Sequence, residues 1–268
     1  MRAALLTEAR QPLELVDDLE VAEPGPGQVR VEVHHCGLCH SDLSFMNGTV
    51  PSPVPIVLGH EAAGVVTAVG PGVTSVAEGS RVMITPVPSC GTCYWCVRDQ
   101  HSLCANGTSI MTQTFLDGST GFSRNGEVVY RGVNVGAFSH HTLVLENAVV
   151  PVPDGVDLGV VTVIGCAVQT GVGAALNIAG VRPGDTVLVM GLGGIGVSIV
   201  QGARIAGATR IVVSDPVAER RDRAARFGAT DGIDPTADDV VSEARRLTGD
   251  IGVDHAFDAV GSNALVAA

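Results

Sequence analysis

Gly191–Leu192–Gly193–Gly194–Ile195–Gly196 reads G-x-G-x-x-G. It follows the apolar run Thr186–Met190 and opens the run Ile195–Ala206, in which small and apolar residues recur at helical spacing. The pattern predicts strand, tight turn and helix. Gly191 allows the turn, Gly193 lets a pyrophosphate approach the backbone, and Gly196 lets helix and strand pack closely. The helix start at Gly194 and Ile195 then offers free N–H groups and a positive dipole end to phosphate. Asp215 closes the next apolar run, Arg210–Ser214. A carboxylate there hydrogen-bonds the adenosine ribose and repels a 2′-phosphate, so NAD is expected over NADP.

Working outward from this motif, residues 160 onward alternate helix and strand. A helix is expected over 166–179, ending at Gly180, and Pro183–Gly184–Asp185 is a turn. Strands are expected at 186–190, 210–214, 229–233 and 253–257, with helices at 195–206, 217–227 and 237–247. That alternation means a doubly wound parallel sheet. A full dinucleotide fold has six strands. The sequence carries four and stops at Ala268 inside what should be the next helix, so this domain, 161–268, is expected to be truncated.

Residues 1–160 have a different texture. Short apolar runs (Val29–Val33, Ala63–Val69, Arg81–Thr85, Phe138–Leu145) are separated by Pro/Gly turns, the mark of a compact, barrel-like β domain. Residues 105–137 are polar and glycine-rich and are expected to form a long surface excursion with one hairpin. Apolar residues make up 46% of the 268 and suffice for buried cores, while a net charge of −12 argues against nucleic-acid or anionic-membrane partners. No signal peptide or membrane span is expected, and the protein is expected to be cytoplasmic.

Seven cysteines without a secretion signal suggest metal binding, not disulfides. Cys90, Cys93, Cys96 and Cys104 have the spacing C-x2-C-x2-C-x7-C. Four thiolates in a tight loop suffice for a closed tetrahedral zinc of structural kind, with an iron–sulfur cluster as the competing reading. A second set is scattered: Cys39 in Gly37–Leu38–Cys39–His40–Ser41–Asp42, His60 and Glu61 in Gly59–His60–Glu61–Ala62–Ala63–Gly64, and Cys166 in Ile164–Gly165–Cys166. Two thiolates and an imidazole make a zinc site with one position open. Spacing alone does not bring these three together.

These motifs, taken in order along essentially the whole chain, resemble the zinc-containing medium-chain alcohol dehydrogenase family. The resemblance implies a GroES-like catalytic domain followed by a Rossmann domain, with the active site in the cleft between them. It implies two zinc ions, one catalytic and one structural. Cys39, His60 and Cys166 fall on the catalytic zinc ligands, and Glu61 on a carboxylate able to approach the metal. Asp42 falls on the acid that orients the ligand histidine. Ser41 falls on the hydroxyl that passes on the alcohol proton. His40 falls near the cofactor pyrophosphate, Thr170 near the nicotinamide and Arg220 near the adenosine ribose. The substrate wall would include Val50, Pro86 and Val133. The sequence departs from many members at Ser44, where a histidine completes the proton path.

The function expected is hydride transfer between a primary alcohol or its aldehyde and NAD; for a full-length member the resemblance implies a homo-oligomer (dimer or tetramer). The alternatives are a formaldehyde dehydrogenase acting on a thiol adduct, and a truncated, non-catalytic zinc- and nucleotide-binding protein. Cys36, paired with Cys39 as C-x-x-C, is not expected to be redox-active, nor is His101 expected to displace a cysteine of the loop. His34, His35, His140 and His141 are expected on strands, and His255 is read as structural.

Overall fold

The computed structural model describes residues 1–262 (for Thr108, the backbone only). The chain divides into two compact units, Met1–Cys166 and Ala167–Ala268.

The first unit holds eleven strands: β1 (Ala3–Leu6), β2 (Glu14–Val16), β3 (Glu20–Val21), β4 (Gln28–Gly37), β5 (Ile56–Val57), β6 (Glu61–Val69), β7 (Arg81–Ile84), β8 (Phe122–Arg124), β9 (Glu127–Arg131), β10 (His141–Leu145) and β11 (Val149–Pro151). Its helices are α1 (His40–Met46), α2 (Ser109–Thr112) and α3 (Leu158–Val161). One sheet has the order β2-β1-β5-β9-β8-β3 and the other β10-β4-β6-β7-β11. Alternation explains the second: Val29 and Val31 of β4 are fully buried, while Arg30 between them and Glu32 after them are not. They share a core with Val66, Val82, Ile84, Val135 and Val144.

The unit runs past the expected exit at residue 160. Leu158 and Val161 pack with Ala63 and Val152, so α3 belongs to the β core. Asp157 caps α3 by accepting the Gly159 N–H at 2.7 Å.

The stretch 105–137 is not a surface excursion. Its one hairpin, β8–β9 around Asn125–Gly126, is present, and β9 lies parallel to β5. Phe115, Phe122, Val129, Val135 and Ala137 are buried. The glycines that make the stretch look solvent-exposed serve turns and close contacts instead: a Cβ on Gly121 would stand 2.8 Å from Leu143. At its centre is Arg131, itself 2% exposed, which stacks 3.4 Å over the Phe115 ring. Its Nη1 donates to the carbonyls of Asn134 (2.7 Å) and Leu143 (3.2 Å). His140 also differs from expectation, lying just before β10 in a bend.

The second unit contains α4 (Ala167–Gly173), which continues as a π-helical turn over 174–178, then β12 (Thr186–Met190), α5 (Gly194–Ala206), β13 (Arg210–Ser214), α6 (Ala218–Ala224), β14 (Asp231–Ile233), α7 (Val240–Leu247) and β15 (His255–Asp258). All pairings among its described residues are parallel, in the order β14-β13-β12-β15. This is the 3-2-1-4 arrangement of a dinucleotide-binding fold. The helices expected at 217–227 and 237–247 are shorter. Ala225–Phe227 tightens to a 3-10 turn, and α7 starts only after its N-cap Asp239, whose carboxylate accepts the Ser242 N–H at 2.8 Å. The helix expected around Ala268 lies outside the described residues. No single helix among the described residues is long and apolar enough to cross a membrane.

Candidate metal centres and nucleotide turn

β4 and β6 run antiparallel, with Gly37 opposite Glu61. The residues just beyond those ends, Cys39 and His60, are thereby made neighbours. Cys166 arrives by another route. A Cβ on Gly165 would stand 2.1 Å from the Ile84 carbonyl, so only glycine lets the chain press against the end of β7 there. Cys39, His60 and Cys166 then present one ligand atom each, all within 4.8 Å of one another. The two sulfurs are 4.0 Å apart. Thiolates bound at 2.3 Å around a tetrahedral zinc would be about 3.8 Å apart, so the donor set fits that ion and leaves a fourth position.

Asp42 organises these ligands from full burial. Its Oδ2 accepts the Cys39 N–H and its Oδ1 the Gly59 N–H, both at 3.0 Å, and Oδ1 lies 3.3 Å from His60 Nδ1. With Nδ1 facing Asp42, Nε2 is the nitrogen left for the sulfurs. A carboxylate behind a ligand histidine fixes its tautomer and raises its basicity. Burial opposes a charged His60, but the Asp42 carboxylate and the Cys39 sulfur, as acceptors facing the ring, outweigh it and hold the ring up at about 9. The Cys166 thiol, and then His60, stabilise Cys39 as thiolate, down to about 3; Cys166 correspondingly keeps its proton in the metal-free pair.

Glu61 does not join the cluster of ligand atoms. Its carboxylate lies against Gly37, whose missing side chain makes the room, and also reaches the Cys166 thiol. Ser41 is exposed, with Oγ 3.7 Å from Cys39 Sγ, and His40 is exposed at the first position of α1. Cys36 points elsewhere: its thiol meets the Gly37 carbonyl at 3.3 Å, and burial, then the Asp42 charge, push it up to about 12.

Cys90, Cys93, Cys96 and Cys104 form the second cluster, again within 4.8 Å. Cys90 and Cys96 sulfurs are 3.9 Å apart, close to the same tetrahedral spacing. Backbone N–H groups stabilise negative sulfur here: Cys93 donates to Cys90 Sγ (3.3 Å) and Cys90 to Cys104 Sγ (3.2 Å). Four ligands close the shell. His101 is not among them and lies 3.7 Å from Asp99. Tyr94 and Trp95 meet edge to face at 5.0 Å, with Arg98 stacked 3.7 Å over the Tyr94 ring.

In the second unit the glycine turn has the expected build. Gly191 is left-handed (φ 88°). A Cβ on Gly196 would stand 1.8 Å from the Gly191 carbonyl, and one on Gly193 would meet nothing. These are the roles of close packing and open approach. Asp215 is 2% exposed. Its Oδ2 accepts the Leu192 N–H at 2.8 Å and its Oδ1 the Val217 N–H at 2.9 Å. Arg220, half exposed, reaches Oδ2 at 3.5 Å. Thr170 is exposed on α4, whose Gly171 packs against Ile195 and Ser198 of α5.

Three participants were not expected from the sequence. Arg221 bonds the Asp215 carbonyl and the Asp234 carboxylate. The doublet Arg220–Arg221 was the available signal, and helical phase does not say which of the two turns inward. Gly37 and Gly165 make room for site groups, which no spacing rule announces.

Two family descriptions match the chain: alcohol dehydrogenase GroES-like domain at residues 25–154, and zinc-binding dehydrogenase at residues 194–268. The chain is 39% identical to an NDMA-dependent alcohol dehydrogenase of Amycolatopsis methanolica, over 97% of this chain and 70% of the relative. It is 40% identical to an S-(hydroxymethyl)glutathione dehydrogenase of Escherichia coli O157:H7, over 97% of this chain and 71% of the relative. A crystal structure of an alcohol dehydrogenase zinc-binding domain protein from Burkholderia ambifaria superposes with a TM-score of 0.91 at 36% identity, covering 99% of this chain and 72% of that one.

Proposed function

The chain belongs to the zinc-containing medium-chain alcohol dehydrogenase family, and we propose that it transfers hydride between an alcohol, or the corresponding aldehyde, and NAD. The observation that carries this reading is the three-ligand cluster of Cys39, His60 and Cys166, which fits zinc and keeps a fourth position for substrate. The first unit, Met1–Cys166, is read as the catalytic domain and the second, Ala167–Ala268, as the NAD-binding domain. The working protein is read as a cytoplasmic homo-oligomer.

Bound zinc supplies a Lewis acid for an alcohol oxygen, and bound NAD supplies the hydride acceptor. The chain does the rest. Asp42 holds His60 and the Cys39 backbone in place. Ser41, exposed beside Cys39, takes the alcohol proton. The N–H groups at Gly193, Gly194 and Ile195 receive the pyrophosphate, with His40 as a further contact. Asp215 takes the adenosine ribose and repels a 2′-phosphate. The four-cysteine loop holds the second zinc as a structural ion.

The test compares Cys39→Ala with wild type for zinc content and NAD reduction on a panel of primary alcohols. Loss of turnover and of one zinc, with the second retained, supports the assignment. Unchanged turnover would defeat it. The similarity to an S-(hydroxymethyl)glutathione dehydrogenase favours a second reading, a thiol-adduct formaldehyde dehydrogenase. Activity with formaldehyde only after a low-molecular-weight thiol is added would select it.

A further inference from the structure

The C-terminal edge of the second unit's sheet carries two neighbouring guanidinium groups, and both are already engaged by acids. Arg220 lies 3.5 Å from Asp215 Oδ2. Arg221 lies 3.0 Å from Asp234 Oδ2, with the Asp215 carbonyl as its other partner. The Arg221 stem crosses β14 at Gly232, where a Cβ would stand 3.5 Å from it. Arg221 is largely buried, its side chain 17% exposed, and bridges the ends of β13 and β14. The Asp234 carboxylate is itself fixed, its Oδ1 accepting the Thr236 N–H at 2.9 Å and the Thr236 hydroxyl at 2.6 Å.

A 2′-phosphate at this edge needs a free arginine. The chain contains no lysine that could substitute. The geometry points to Asp234 as a cofactor-selectivity determinant: by holding Arg221 it withdraws the guanidinium that would otherwise bind the 2′-phosphate of NADP. Selection against NADP is then double. Asp215 repels the phosphate and engages Arg220, and Asp234 occupies Arg221, the second cation able to receive it. Removing Asp215 alone releases Arg220 but leaves Arg221 held by Asp234, so the second barrier still stands. This inference rests on reading Asp215 as the acid that faces the ribose.

The test measures dissociation constants for NADPH and NADH by direct binding to the full, zinc-loaded chain. It compares wild type, Asp215→Ser, Asp215→Ser/Asp234→Asn, and the latter with Arg221→Met added. The Asp234→Asn change keeps an acceptor for Thr236, and taking the NADPH-to-NADH ratio cancels any general loosening of the site. Asp234→Asn is expected to shift that ratio about tenfold toward NADPH, the scale of one charge-assisted hydrogen bond, and Arg221→Met to abolish the gain. An unchanged ratio in Asp215→Ser/Asp234→Asn, or a gain that survives Arg221→Met, overturns the proposal. Failure of wild type to bind NADH would instead overturn the reading of the glycine turn and Asp215 on which it rests.

Discussion

Asp215 Oδ2 accepts the backbone N–H of Leu192 at 2.8 Å, so the acid at the end of β13 is also a strut of the glycine turn after β12. Each of its oxygens accepts one backbone donor, the second that of Val217. Asp215→Ala leaves these N–H groups without their acceptor, at a cost of about 1–3 kcal/mol for each group that stays buried. Amide hydrogen exchange at Leu192 is expected to accelerate in the variant before any cofactor is added. Equal exchange in the two proteins would mean that the turn holds itself.

Asp42 is the equivalent brace at the Cys39, His60, Cys166 cluster. Asp42→Asn keeps one acceptor for either Cys39 N–H or Gly59 N–H and loses the negative charge behind His60. Outer partners of metal-bound histidines typically contribute about 10–100-fold in affinity. Competition with a chelator is expected to strip one zinc far sooner from the variant, leaving the ion of the four-cysteine loop in place. Identical stripping curves would refute this.

Arg131 is a buried cation bonded to backbone carbonyls, and no acid pairs with it within ion-pair distance among the described residues. Burial lowers its pKa, but a guanidinium stays protonated throughout the working pH range. Arg131→Met preserves much of the volume and orphans the carbonyls of Asn134 and Leu143. A loss of about 2–4 kcal/mol in unfolding free energy is expected from denaturant titration. A loss below about 0.5 kcal/mol, the usual scatter of surface changes, would show that the clamp carries no stability.

Glu146 makes the fold sensitive to acid. Its Oε1 accepts the N–H groups of Thr74 (2.7 Å) and Ser75 (2.6 Å), which hold the carboxyl below its ordinary value. A depressed carboxylate stabilises the fold fully above its unfolded value, about 4.3, and that contribution fades as pH falls through the lower folded value. Wild type is therefore expected to melt higher than Glu146→Gln at neutral pH, with the gap closing below about pH 4. A gap independent of pH would rule out the charge as its origin.

The second unit was the more legible half. Its G-x-G-x-x-G turn, strand alternation and Asp215 all stand where local pattern puts them, because a βαβ unit is built from neighbours in sequence. The four-cysteine cluster is local too. Cys39, His60 and Cys166 are not, since their meeting depends on the β4–β6 register and on Gly165 fitting against β7. The stretch 105–137 misled for a related reason. Its polar, glycine-rich composition looks solvated, yet Phe122 and Val129 fill a core whose other half is Ala3, Leu5, Val16, Leu19 and Val57, far earlier in the chain. Arg131 defeats composition altogether, because a buried arginine is legible only once the carbonyls around it are in place.

The order β2-β1-β5-β9-β8-β3 has a consequence for how the chain is made. Val21 of β3 pairs with Phe122 of β8, and Val57 of β5 with Arg131 of β9. During synthesis the first strands therefore emerge long before their partners exist. The sheet cannot close until the cysteine loop and the hairpin behind it have left the ribosome. Such sequence-distant pairing slows folding and leaves strand edges open in the interval. A nascent chain arrested before residue 122 is expected to need chaperone cover that the released chain does not.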